Sequence, residues 1–185
     1  MRTAPFLAAL ALCLGTAGPV HAEKPVFTLG SYLGMDVYSQ EGEILTLIST
    51  NPSNGFLFIP EPGLRLGLVL PDQGLEFAAL VGATVAATSY ESIQSVGTTL
   101  ECSYHFGGRA SDVDPYLGVH GGAVMMGYEG SSGSVTNFGA QVGVRRMVSG
   151  GHGAIRLEAR GGIVSSQYES MTDIGVRIGY DLWFR

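Results

Sequence analysis

From Asp173 to Phe184 the chain alternates without interruption. Ile174, Val176, Ile178, Tyr180, Leu182 and Phe184 share one face of an extended strand. Asp173, Gly175, Arg177, Gly179, Asp181 and Trp183 share the other. Side chains of a strand point to opposite sides in turn, so one face of 172–184 is wholly apolar. Such a face, backed by charge and glycine, suits a strand set between lipid and a narrow polar interior. The same period predicts seven further strands, over 26–38, 56–70, 75–87, 93–106, 115–128, 135–148 and 154–168.

Each predicted strand sorts its residues in the same way. Leu64, Leu66, Leu68 and Leu70 form an outward row opposite Arg65, and Ile155, Leu157 and Ile163 lie opposite Arg156, Glu158 and Arg160. Strand 115–128 has the weakest phase, because Gly121 and Gly122 blur it. The turns are polar and short, as at Pro71-Asp72-Gln73-Gly74. One connection is long, 39–55. It holds the apolar run Ile44 to Ile48 and a turn signal, Asn51-Pro52-Ser53-Asn54-Gly55, and reads as a short helix or a projecting hairpin. Pro60 and Pro62 belong near a rim, since proline cannot donate within a sheet.

Composition narrows the class. Mean hydropathy is +0.25 and charged residues are 14%, against about 25% in ordinary soluble domains. No stretch past the N-terminus is apolar for the ~20 residues that a membrane helix needs. Low charge without such a span fits strands that meet lipid on one side. Arg2, the apolar run Phe6 to Leu14 and Val20-His21-Ala22 form the n-region, h-region and cleavage site of a secretory signal over 1–22. The mature domain is then 23–185, with nine Lys or Arg against sixteen Asp or Glu. That balance, without a basic patch, excludes nucleic acid as a partner. Cys102 would stand alone there, in an apolar phase, as a small hydrophobe.

The closing residues carry a resemblance. Arg177-Ile-Gly179-Tyr-Asp-Leu182-Trp-Phe184 resembles the C-terminal assembly signal of bacterial outer-membrane barrels, with Arg177, Gly179, Leu182 and Phe184 at the matching positions. Such chains end at the aromatic, whereas this one continues to Arg185. The whole of 23–185 resembles the small opacity/OmpA-like barrel family. The resemblance implies a closed eight-stranded antiparallel up-and-down transmembrane β-barrel in the outer membrane. It also implies docking of the last strand on the barrel-assembly machinery, and outer-membrane lipids as surroundings. An even strand number leaves both termini in the periplasm and 39–55 outside, where it could meet a surface partner. Tyr38, Tyr90, Tyr128 and Tyr168 would ring the outer end, and Tyr104, Phe106, Tyr180 and Phe184 the periplasmic end. The alternative is a soluble sandwich or lipocalin-like barrel.

The inward phases collect five arginines, Arg65, Arg145, Arg156, Arg160 and Arg177, and five acids, Asp36, Glu76, Glu101, Glu158 and Asp181. Side chains fill an eight-stranded barrel, so these charges must pair. They read as an ion-pair column that plugs the lumen, or else as the lining of a narrow charge-selective pore. Glu101, Ser103 and His105 invite comparison with the Ser-His-acid site of lipid A deacylases, yet three residues in line on one strand lack convergent geometry. The expectation is a structural, envelope-integrity or surface-interaction protein without catalysis, cofactor or metal. A porin or transporter for small or hydrophobic solutes is the alternative, and a lipid-modifying enzyme the remoter one.

Overall fold

A computed structural model of the chain describes residues 24–40, 43–49, 63–87, 92–107, 113–128, 131–166 and 170–184. Residues 1–22, expected to be a signal, and Pro60, Pro62 and Arg185 lie outside them. The described residues form nine strand segments: β1 (Val26–Gln40), β2 (Glu43–Ser49), β3 (Gly63–Leu70), β4 (Leu75–Ala87), β5 (Ser92–His105), β6 (Val113–Tyr128), β7 (Ser131–Val148), β8 (Gly153–Ser166) and β9 (Ser170–Phe184). All pairings are antiparallel between neighbours, and β1 also pairs with β9 from Phe27↔Phe184 to Ser39↔Thr172, which closes the sheet.

Nine segments make eight staves. One edge of β1 meets β2 at Gly34 to Gln40 and β3 at Val26 to Gly30. The two short strands therefore lie end to end and share one position in the wall. The apolar run expected as a short helix or a projecting hairpin is thus a strand that forms a hairpin with β1, within the wall rather than beyond it. Likewise, the expected strand 56–70 is observed as Gly63–Leu70, its first half lying outside the described residues. Ser31 Oγ donates to the Gly63 carbonyl at 2.7 Å where β3 begins.

The register fixes the shape. Partners followed once round the wall run Asp36, Gly175, Arg160, Gln141, Gly118, Ser103, Glu76, Val69 and Val26. The circuit returns to β1 ten residues from its start. This stagger tilts the strands by roughly 40°, as closure of a small barrel demands. The periplasmic turns are tight. Pro71–Gln73 ends at Gly74, with φ 63°, and the β7–β8 turn carries positive φ at Ser149, Gly150 and Gly151.

Most expected strand ends hold or shift by one or two residues, while β7 begins well before its expected boundary. Ser131 to Ser134, left in the loop before the strand expected over 135–148, pair in β7, and Asp114, left in the turn before the strand expected over 115–128, lies in β6. Backbone pairing continues past the apolar stretch at both places, so polarity alone does not mark a strand end. Facing follows the period. Phe27, Leu66, Val96, Leu157, Ile174 and Val176 are exposed on the outside, as a lipid-facing belt requires. Tyr104, Phe106, Tyr180 and Phe184 ring its periplasmic end, all exposed. Tyr38 departs from the expected outer ring: it is 4% exposed and points into the lumen. Its position is even on β1, the inward phase shared with Asp36 and Tyr32. The side chains of Tyr90, Tyr128 and Tyr168 lie outside the described residues.

Because the belt faces lipid, Leu66→Arg or Val176→Arg should destabilise the barrel by about 2–4 kcal/mol, measured as a shift in urea midpoint in lipid vesicles. Spin labels walked through 64–70 should alternate between lipid and polar environments, and a uniform profile would break the register given above.

Candidate functional site: an ion-paired lumen

The lumen is narrow, and the sequence makes room in it by glycine. Large inward residues face an inward glycine on the next strand: Asp36↔Gly175, Tyr32↔Gly179, Gly30↔Asp181, Tyr116↔Gly143 and His120↔Gly139. A Cβ built at Gly143 would stand 2.6 Å from the Tyr116 hydroxyl, and one at Gly175 would run into Asp36 Oδ1. The chain's 28 glycines therefore serve volume as much as backbone freedom.

The ten charged residues expected in the lumen are all buried, at 6% exposure or less. Glu76 is their hub. It meets Arg65 at 2.7 Å, Arg145 at 3.0 Å, His105 at 2.8 Å, and Arg156. Arg156 also holds Asp181, which is diagonal to it across β8 and β9. Arg65 reaches Glu101 at 3.3 Å and Asp181 at 3.6 Å. Arg177 bridges Glu101 at 3.2 Å and Glu158 at 3.3 Å, and the Tyr116 hydroxyl donates to Glu158 at 2.8 Å. Nearer the outer end, Arg160 joins Asp36 at 3.0 Å and Asp173 at 2.8 Å.

Aromatic rings complete the column. Arg145 lies 4.6 Å from the Trp183 ring centroid, Arg156 5.4 Å from that of Tyr116, and Tyr32 stands between Arg65 and Arg177 at 5.9 and 5.6 Å. Each ring presents its negative face to a guanidinium, an attraction that strengthens out of water.

Sequence reasoning missed three members. Asp114 binds Arg145 and lies 2.9 Å from His105 Nδ1, while Asp173 binds Arg160. His105, set between Glu76 and Asp114, can donate to both when protonated. Asp173 sits in the inward phase of β9 and was findable on that signal; Asp114 was concealed by its reading as turn. The described lumen thus holds seven carboxylates against five arginines and His105, not five against five.

An apolar cluster closes each end. Val26, Val69, Ala154 and Trp183, with Met147 against them, lie at the periplasmic end, and Tyr38, Val135 and Val164, with Met171, at the outer end. Between the two, on β5, β6 and β7, lies a neutral patch. His120 Nδ1 is 3.2 Å from Gln141 Oε1, and Gln141 Nε2 donates to Ser103 Oγ at 3.1 Å.

The residues compared with a hydrolase triad do not converge. Glu101 binds Arg65 and Arg177, Ser103 accepts from Gln141, and His105 lies between Glu76 and Asp114. Among the described residues no group of three or more His, Cys, Asp or Glu could hold a metal ion. Of the terminal motif, Arg177 and Gly179 face inward, while Leu182 and Phe184 face out beside Leu29 and Phe27 of β1.

A closed eight-stave antiparallel wall, apolar outside and charged within, is the architecture of small outer-membrane β-barrels, and this chain has that fold. No protein-family model matches it, and no curated protein does. Solved structures do. Neisserial surface protein A superposes with a TM-score of 0.62 at 16% identity, covering 88% of this chain and 100% of that one. OprG from Pseudomonas aeruginosa gives 0.53 at 10% identity over 89% and 98%. The N-terminal barrel domain of Pseudomonas aeruginosa OprF gives 0.50 at 15% over 88% and 100%. At these identities the likeness is one of fold.

Removing one partner of a buried pair leaves the other charge uncompensated. Asp181→Ala should therefore lower stability by about 3–5 kcal/mol, measured by urea unfolding of the refolded protein, and Asp181→Asn by less. Gly175→Ala, which pushes Asp36 off Arg160, should lower it by about 1–3 kcal/mol.

Proposed function

We propose that this protein is a structural barrel of the outer membrane whose lumen is a plug, serving envelope integrity or surface interaction without catalysis. The observation that carries this reading is the lumen itself: paired charges fill its length, and apolar clusters cap both ends. Ion pairs that tie opposite sides of the wall and occupy a narrow lumen support the plug over a conducting pore. The separate engagements of Glu101, Ser103 and His105 support the non-catalytic reading. Residues 1–22 would be the cleaved leader of export.

A second reading, a narrow pore for small solutes, draws on one observation. Buried Asp36 Oδ2, Thr99 Oγ1 and Arg177 Nη2 find no hydrogen-bond partner, and such atoms suit a file of water. Recordings in planar bilayers separate the two readings. The plug predicts no steady conductance from wild type and flickering openings from Asp181→Ala. Steady wild-type channels, with Asp181→Ala changing ion selectivity at unchanged melting temperature, would defeat it.

The last strand is proposed to dock on the barrel-assembly machinery through Leu182 and Phe184. Their side chains lie on the outer face at the periplasmic end of β9, free for recognition before closure. A Leu182→Ala, Phe184→Ala double substitution should sharply lower heat-modifiable folded protein in outer membranes, and normal folded amounts would sink the proposal.

A further inference from the structure

Among the described residues, the outward surface of the strands is uncharged except at one point. On β1 and β3 through β9, the described outward side chains are aliphatic, aromatic, small or hydroxylic, with Gln94 near the outer end. Arg146 is the exception. It is exposed and even-numbered on β7, in the outward phase of Phe138, Val142 and Val144, between Val113 of β6 and Ile155 of β8. Two residues on, β7 ends at the periplasmic turn Ser149–Gly151. Arg146 therefore sits at the height of the Tyr104, Phe106, Tyr180 and Phe184 ring. Its neighbour Arg145 points inward to Glu76 and Asp114, whereas no ion pair joins Arg146 to any described residue.

We propose that Arg146 is a binding site for the phosphodiester of a glycerophospholipid in the periplasmic leaflet. At the bilayer midplane an outward arginine costs about 2–4 kcal/mol, and near the interface about 0–1 kcal/mol, so the position is tolerable only at the rim where it stands. A guanidinium there matches phosphate with a planar two-pronged donor set. Val113, Val144 and Ile155 flank it with the apolar surface on which acyl chains of the same lipid lie. The occupant is a lipid and not free phosphate, because the site pairs one cation with aliphatic walls and provides no enclosing ring of donors. The inference rests on the bilayer placement of the belt.

Native mass spectrometry of the protein refolded in non-ionic detergent tests it, with phosphatidylglycerol as probe and a phosphate-free galactosyl diacylglycerol of the same chains as control. Wild type should retain phosphatidylglycerol over the galactolipid. Arg146→Gln should bind phosphatidylglycerol about tenfold more weakly, about 1.4 kcal/mol, with galactolipid binding unchanged. Arg146→Lys, a point charge, should fall between, and Gln94→Ala, near the opposite end of the wall on β5, should match wild type. Heat modifiability on gels confirms folding of each variant. Equal phosphatidylglycerol retention by folded Arg146→Gln overturns the site, as does displacement of the lipid by millimolar inorganic phosphate. Failure of wild type to hold either lipid would instead count against the belt itself.

Discussion

Glu76 is the interaction on which the rest of the lumen depends. One carboxylate from β4 meets Arg65 of β3, His105 of β5, Arg145 of β7 and Arg156 of β8. Five strands, some on opposite sides of the barrel, are joined through two oxygen atoms. A buried carboxylate is tolerated only when cations and hydrogen bonds surround it, and each of these arginines is in turn tolerated only because acids surround it. Hence the network extends: Arg156 needs Asp181, Arg65 needs Glu101, Glu101 shares Arg177 with Glu158. The pairs do not add stability singly. They form one set in which each member justifies burial of the next.

That set also accounts for the wall. Charges can fill the interior only if the backbone comes close enough for side chains to reach across, and eight staves with a stagger of ten residues draw it in that far. Glycine at a facing inward position then gives several of the large side chains, Asp36, Tyr32, Asp181 and Tyr116 among them, their space. The outside carries the complementary demand. Lipid offers no hydrogen bonds, so every backbone group must pair within the wall, and closure of β1 on β9 leaves no edge.

Much of this was legible in the sequence, and the reason is geometric. Period-two alternation assigns faces, and from Ile174 to Phe184 it did so at every position. The inward charges were legible for the same reason. Period says nothing about how far along the axis a residue lies, nor what it meets across the lumen. The short link between β8 and β9 is enough to put Asp181 within cross-strand reach of Arg156 or Arg160; the convergence of Arg145 on Glu76, 69 residues away, has no such local signal. Tyr38 shows the same limit in reverse. Its place at a strand end suggested a lipid-facing ring, while its parity on β1 already turned it inward. The β2 segment stayed ambiguous because seven residues of mixed apolar pattern suit a helix, a hairpin or half a stave equally.

The glycine opposite several of the large lumen side chains has a consequence for how such a chain can drift. Volume inside the barrel is held jointly by two residues on adjacent staves, as with Asp36 and Gly175 or Tyr116 and Gly143. Enlarging one partner is tolerated only as the other shrinks, and the charge then moves to a neighbouring stave without leaving its level. The heritable unit of this interior is therefore the pair, and the column can migrate round the barrel in such exchanges while its chemistry stays the same.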